Sequence, residues 1–249
     1  MYYNINMSEQ KKAFLTFGGP TENFHNRVRT LCEQAKTLNF FTRIIGVTEQ
    51  FLMNDQDFWN KHRHFITYHP RGYGYWLWKP FIIKKFLEEL EDNNILIYCD
   101  AGCTFNPRGM KRMNEYIDMV NNSDLGIIAF QLEHPEIKYT KRNVLDHFQA
   151  DIDTMRSNQF IATVIILRKN AHSTKIINEW YDIVSNHQLI NDELLINEYK
   201  VFIDHRHDQS IYSMLIKKYG AVQINDETFF HPNWETGKDY PIWATRIKL

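Results

Sequence analysis

The sequence predicts an α/β protein built on a central, mostly parallel sheet flanked by helices, folded as a single domain. Three observations carry that expectation. Short β-favouring runs alternate with amphipathic helical patterns along the chain. The first strand, helix and second strand fit within about 35 residues, the size of a βαβ unit. The run Ile95–Cys99 is mostly apolar, as a strand buried on both faces reads, and it passes straight into Asp100, Ala101 and Gly102. The carboxyl ends of such strands form the ligand crevice of an open α/β sheet. A carboxylate placed there is costly to leave bare, so a metal, a donor array or a substrate is expected to meet Asp100.

Taken in order, Lys12 to Pro20 reads as a strand that breaks at Gly18-Gly19-Pro20. Thr21 caps a helix with Phe24, Val28, Leu31, Cys32 and Ala35 on one face. Phe40–Val47 is the second strand, and Gln56–His64 a short helix. In Arg71-Gly-Tyr-Gly-Tyr-Trp-Leu-Trp-Lys-Pro80 the proline suits a first helical position, with Ile82, Ile83, Phe86, Leu87 and Leu90 on the buried face. Lys79 then lies at a helix N-terminus, where free N–H groups favour an anion, and the two glycines let backbone approach a ligand.

Past Asp100, Met110, Met113, Ile117 and Val120 mark a helix, and Leu125–Phe130 a strand ending at Gln131-Leu-Glu-His134. Residues 135–158 are irregular apart from a helix near Asn143–Phe148. Phe160–Leu167 is a strand, Ile176 to Val184 a helix, and Val201–Asp204 a short strand or extended piece. Asp208 is placed to cap a helix carrying Ile211, Met214, Leu215 and Ile216, which Gly220 ends before an edge strand at Ala221–Ile224. Residues 229–249, aromatic and non-periodic, read as a loop wrapped over a site, and residues 1–10 as flexible.

Bulk properties exclude several classes. At 249 residues and 43% hydrophobic content the chain can bury a full core. Twenty-nine basic against thirty acidic residues argue against a general polyanion binder, and no basic patch with interleaved aromatics points to nucleic acid. No segment reaches the ~18 apolar residues of a membrane span, and the N-terminus lacks a signal-peptide pattern. Three cysteines without a CxxC pair fit a reducing compartment. A cytoplasmic protein is expected, with peripheral membrane attachment left open.

Four pieces together resemble glycosyltransferases of the GT-A fold, a Rossmann-related architecture, most closely the small bacterial and viral enzymes of nucleotide-sugar transfer. They are Tyr98-Cys-Asp-Ala-Gly102, Tyr75-Trp-Leu-Trp-Lys-Pro80, Asp204-His-Arg-His-Asp-Gln-Ser210 and His231, within a similarity running from Lys12 to Trp234. The resemblance departs at one point: GT-A enzymes usually carry Asp-x-Asp here, and the second acid is Gly102. It implies a nucleotide-diphosphate sugar donor (UDP- or GDP-linked), a glycan, glycolipid or protein-linked sugar acceptor, and Mn²⁺ or Mg²⁺ as cofactor. It assigns the metal to Asp100 and His231, with water or ribose hydroxyls at the Gly102 vacancy. The phosphates and donor fall to Lys79, Arg71, Trp78, Ala101 and Gly102, and the nucleoside to Phe17 and Gly18. Asp208 or Glu133 works near the acceptor hydroxyl or the reacting carbon.

Elementary chemistry asks for the same parts, since the departing diphosphate gains negative charge that cations must stabilise. Each residue has a plainer alternative. Asp100 and Asp208 suit helix or turn caps, the aromatics suit core, and Arg71 suits a solvated surface. His205 and His207 share a face in an extended segment, but no third ligand stands at zinc spacing. Two rivals stay open: a nucleotidyltransferase, which would usually want two acids on paired metals, and a non-catalytic nucleotide-sugar-binding relative.

Overall fold

A computed structural model describes residues 10–247. The expected flexible stretch at 1–10 lies, apart from Gln10, outside the described residues, as does the absence of an N-terminal signal. The first half runs β1 (Lys12–Phe17), α1 (Glu22–Thr37), β2 (Arg43–Val47), α2 (Glu49–Asn54), α3 (Gln56–Tyr68), α4 (Gly72–Tyr75), α5 (Trp78–Glu89), β3 (Ile95–Cys99), β4 (Thr104–Phe105) and α6 (Met110–Asn121). The second half runs β5 (Ile127–Pro135), α7 (Glu136–Tyr139), α8 (Arg142–His147), α9 (Ile152–Arg156), β6 (Asn158–Phe160), β7 (Val164–Arg168), α10 (Ala171–Val184), α11 (His187–Ile190), α12 (Asp208–Tyr219), β8 (Val222–Asn225) and β9 (Ile242–Trp243).

A seven-stranded sheet follows the order β2-β1-β3-β7-β5-β6, with β8 on β5. β1 pairs parallel with β2 and β3, and β5 with β8, whereas β7 is antiparallel to β3 and β5 and β6 to β5. Five strands therefore point one way and only β6 and β7 run against them, which makes the sheet mostly parallel in direction although mixed in pairing. Helices cover both faces because the central strands are apolar on both. Leu96 and Tyr98 of β3 join the core under α5, α10 and α12, while Ile95, Ile97 and Cys99 join the one under α1 and α6. All five are fully buried, so truncating Ile97 to alanine costs about 2–5 kcal/mol.

Several boundaries differ from expectation for local reasons. The second strand starts at Arg43, and the strand from Ile127 continues to Pro135 because β6 and β8 pair its far end. The expected strand at 160–167 breaks in two at Ile161–Thr163. Helix α5 begins at Trp78, so Pro80 is its third residue. Residues 201–204 form no strand: Ile203 N–H and Asp204 N–H both turn onto Lys138 O. The glycines of 72–76 serve the backbone itself. Gly72, Tyr73, Gly74, Tyr75 and Trp76 all have left-handed φ (54° to 85°), a single left-handed turn. A Cβ on Gly72 would lie 2.4 Å from the Trp76 ring and one on Gly74 2.8 Å from Ile66. The three non-glycine residues in this turn each cost about 1–2 kcal/mol. Packing offsets that strain, since Tyr75 stacks on His207 at 4.5 Å and Trp78 Nε1 donates to Gly72 O at 2.9 Å.

Candidate functional site

The carboxyl end of β3, the break between β6 and β7 and the start of α12 converge on one side chain. Asp100 N–H extends the β3–β7 ladder by one bond, to Thr163 O at 2.9 Å. The break at 161–163 leaves Ala162 O outside the ladder, and Lys79 Nζ donates to it at 3.1 Å. The same ammonium lies 3.1 Å from Asp100 Oδ1 and 2.9 Å from Asp208 Oδ2. It also faces the Tyr98 ring at 5.7 Å, and Tyr98 hydroxyl donates to Asp100 Oδ1 at 2.7 Å. Tyr98 and Asp100 meet because residues two apart on a strand share a face.

Burial sorts these groups. Side-chain exposure is 3% for Lys79, 5% for Asp208 and 30% for Asp100. Burial alone would lower the Lys79 pKa, but the Asp100 and Asp208 carboxylates raise it above the usual lysine value, so the ammonium stays charged. Burial raises Asp208 to about 6 against the opposing pull of Lys79, and Asp100 pushes it the same way. Burial also holds the Tyr98 phenol protonated. The result is a buried cation shared by two carboxylates, of which Asp100 alone has substantial access to water.

The turn after Asp100 is pinned from two sides. Arg27, buried in α1, donates through Nε to Ala101 O (3.1 Å) and through a terminal nitrogen to Cys103 O (2.7 Å). From the other side, Thr245 hydroxyl (2.8 Å) and Ile247 N–H (3.3 Å) both donate to Gly102 O. β9 pairs with β4 just beyond this turn, which carries the C-terminal segment across it. A Cβ on Gly102 would lie 3.4 Å from Arg246 Cα. That is ordinary van der Waals contact, so the tail packs against this turn without filling the position a Cβ would take.

The expected site residues fall into two groups. Asp100, Lys79 and Asp208 come together, with Ala101 and Gly102 in the pinned turn. Lys79 has a different job from the expected phosphate contact, because its ammonium is enclosed by two carboxylates and a carbonyl. Asp208 is the first residue of α12 and caps nothing; His207, with φ of 50°, precedes the helix. Phe17 and Trp78 are buried against each other, ring centroids 3.9 Å apart, as core residues. Gly18 is buried where a Cβ would meet Phe24 O at 2.6 Å. Arg71 is ion-paired to Asp192 and Asp204, each at 3.4 Å. Glu133 is exposed and, by strand alternation, points away from the cleft that Leu132 and His134 line.

The side chains here do not by themselves complete a metal's ligand set among the described residues. Asp100 Oδ1 already meets a hydroxyl and an ammonium, Gly102 supplies no side chain, and His231 is exposed with its ring beside Phe229 at 6.1 Å. Among the described residues no group of three or more His, Cys, Asp or Glu side chains is placed to hold an ion. His205 and His207 are also spent: each donates to a carbonyl, of Leu189 at 3.0 Å and of Ile190 at 2.8 Å, and burial lowers both pKa values, His207 to about 4.

Sequence reasoning missed Arg27, Tyr98, Arg206 and Arg246. Arg27 carried a signal, a charge set inside the apolar stripe between Phe24 and Leu31 at helical spacing. Arg206 and Arg246 line a cleft of about 80 Å³ beside Asp100, together with His134, Thr163, Gln209 and Phe229. Neither stood out among its neighbours in the sequence.

No family model matches the sequence, and no curated protein matches it. Solved structures do resemble it. A glycosyltransferase involved in the glycosylation of the major capsid of PBCV-1 superposes with a TM-score of 0.54 at 13% identity, over 94% of this chain and 91% of its own. Mouse xyloside xylosyltransferase 1 in its apo form gives 0.49 at 11% identity, over 94% and 97%. The fold is thus the GT-A-like glycosyltransferase fold, a mixed α/β domain around one central sheet. No helix among the described residues is long and apolar enough to cross a membrane.

Proposed function

We propose that this protein is a glycosyltransferase that moves a sugar from a nucleotide-diphosphate donor, UDP- or GDP-linked, to a hydroxyl of a glycan, glycolipid or protein-linked sugar. The observation that carries the reading is Asp100. It stands at the carboxyl end of the central strand of a glycosyltransferase-like sheet, anchored through one oxygen and open to water. In the reaction the acceptor oxygen bonds to the anomeric carbon, the bond from that carbon to the phosphate oxygen breaks, and the nucleoside diphosphate leaves. The acceptor's proton passes to a base or to the departing phosphate.

Asp100 is the group in reach of substrate, suited to accept a hydroxyl hydrogen from donor or acceptor. Tyr98 and Lys79 fix its orientation, the first by a hydrogen bond and the second by a charged contact to the same oxygen. Asp208 touches Lys79 and acts through it, as a positioning residue. Arg27 holds the turn that carries the carboxylate. A divalent ion, where one takes part, would supply charge stabilisation of the leaving diphosphate; none of the steps above is routed through it.

The test is a thermal-shift panel of nucleoside diphosphates with and without Mn²⁺, on wild type and Asp100→Asn. A ligand that binds the folded state raises the melting temperature by mass action. One nucleoside diphosphate stabilises the wild type, Asp100→Asn loses most of that shift, and the matching nucleotide sugar is consumed when acceptor is present. Binding and consumption that survive Asp100→Asn unchanged would refute the assignment. Release of pyrophosphate from a nucleoside triphosphate would move the protein to the nucleotidyltransferases.

A further inference from the structure

We infer that the cleft between Arg206 and Arg246 is an oxyanion-binding site, built for a phosphate or carboxylate group on a substrate that also reaches Asp100. The inference rests on the glycosyltransferase reading only for which substrate carries the anion. Several arginines are committed to partners: Arg71 to Asp192 and Asp204, Arg112 to Glu227 and Glu115, Arg27 to two carbonyls. Arg206 is not. Its Nε is buried without a hydrogen-bond partner among the described residues, and its ion contact to Asp204 is a long 3.9 Å. The guanidinium lies over the Tyr139 ring at 5.1 Å, which fixes its plane and leaves its N–H edge to be used.

Arg246 faces it across the cleft with its guanidinium over the Phe229 ring at 4.8 Å. Asp226 is the one carboxylate lining the cleft. Its Oδ1 accepts both the N–H (2.9 Å) and the hydroxyl (2.7 Å) of Thr228, and one carboxylate stands against two guanidinium groups. A buried donor without a partner carries a desolvation cost that an anionic acceptor removes. Two forks on aromatic supports match the paired oxygens of phosphate or carboxylate. The cleft adjoins the reacting end of the sheet. Thr163, in its wall, accepts the Asp100 N–H, and Gln209 follows Asp208. The cleft wall is thus joined to Asp100 through the Thr163 carbonyl.

Isothermal titration with inorganic pyrophosphate tests the site, using Arg206→Gln, Arg246→Gln, the double variant, and Arg29→Gln as a control on an exposed arginine paired to Glu22. Wild type and Arg29→Gln bind pyrophosphate equally. Each cleft variant binds at least 10-fold more weakly, the double variant does not bind measurably, and Arg206→Lys recovers part of the loss. All variants keep the wild-type melting temperature within a few degrees, since both side chains are partly exposed. Competition then identifies the source: displacement by UDP or GDP marks the donor's diphosphate, whereas simultaneous binding marks an acidic group on the acceptor. Pyrophosphate affinity unchanged in the double variant, or lost equally in Arg29→Gln, overturns the site. Failure of the glycosyltransferase reading shows separately, as a wild type that binds pyrophosphate but neither nucleoside diphosphate nor nucleotide sugar.

Discussion

Lys79→Met isolates the physical core of the site, because methionine keeps most of the side chain's length and removes its charge. The lost ammonium leaves Ala162 O without its donor and two carboxylates without a counter-charge. Asp100 can rehydrate; Asp208, at 5% exposure, cannot. Stranding one buried charge costs about 3–5 kcal/mol. Asp208 limits that cost by binding a proton. From a folded pKa of about 6, protonation at pH 8 costs about 2 × 1.36, or roughly 3 kcal/mol. Removing the lysine moves that pKa further up, so about 3 kcal/mol is a ceiling at pH 8 for this contribution. At pH 5 Asp208 is already largely protonated in wild type, and most of the penalty vanishes. Urea unfolding should therefore show the variant about 3 kcal/mol less stable at pH 8 and no more than about 1 kcal/mol less stable at pH 5. An equal loss at both pH values refutes the Lys79–Asp208 pairing, and a loss below about 1 kcal/mol at pH 8 refutes the buried lysine.

Four further outcomes follow from the same geometry. In wild type, Asp208 titrates at about 6 folded against the ordinary 3.8, so folding favours its protonated form. That contribution is fully present below about pH 4 and lost as pH rises through about 6, a decline of about 3 kcal/mol that Asp208→Asn removes from the stability–pH curve. Arg27→Leu leaves the Ala101 and Cys103 carbonyls without buried charged donors; a loss of about 2–4 kcal/mol in urea unfolding is expected, with faster amide exchange at residues 101–103. Gly102→Asp, which restores an Asp-x-Asp pattern on paper, meets Arg246 backbone 3.4 Å from its Cβ. That is ordinary contact, so the melting temperature should stay within a few degrees of wild type; faster proteolytic trimming of the C-terminal segment would show the tail displaced instead. Glu133→Gln leaves transfer within about 2-fold of wild type, because its side chain points away from the cleft; a 100-fold loss measured by donor consumption would reverse the placement.

The strand–helix order and the two-faced burial of β3 were legible in the sequence, from apolar periodicity and an apolar run ended by an acid. Local pattern also singled out Asp100 and Lys79 separately, whereas Asp208 reads locally as a helix cap and entered the site only through the resemblance. What those side chains do to one another was not legible, because burial is a tertiary property. Lys79 reads as a phosphate ligand when its helix is considered alone. It becomes a counter-ion once β3 and α12 each deliver a carboxylate within about 3 Å of it. The same holds for Phe17 and Trp78, which stand 61 positions apart in the sequence and stack only after β1 and α5 pack. The left-handed turn at 72–76 was signalled by its two glycines. Tyr73, Tyr75 and Trp76 in that conformation were not, since side-chain packing overrides their backbone preference.

Gly102 is where those two kinds of information meet. From the sequence alone it is a gap, a missing acid in a metal-binding pattern. In the fold it is a junction. Its carbonyl accepts from Thr245 and Ile247, its α-carbon lies against Arg246, and Arg27 ties the carbonyls on either side. A Cβ here would lie in ordinary contact with the tail. The turn thus anchors the segment that brings Arg246 to the rim of the cleft. Charge on a departing diphosphate can be met by a cation recruited to two acids or by guanidinium groups already in place. The first solution needs a ligand at position 102, which glycine does not supply; for the second, Arg206 and Arg246 already line the adjoining cleft.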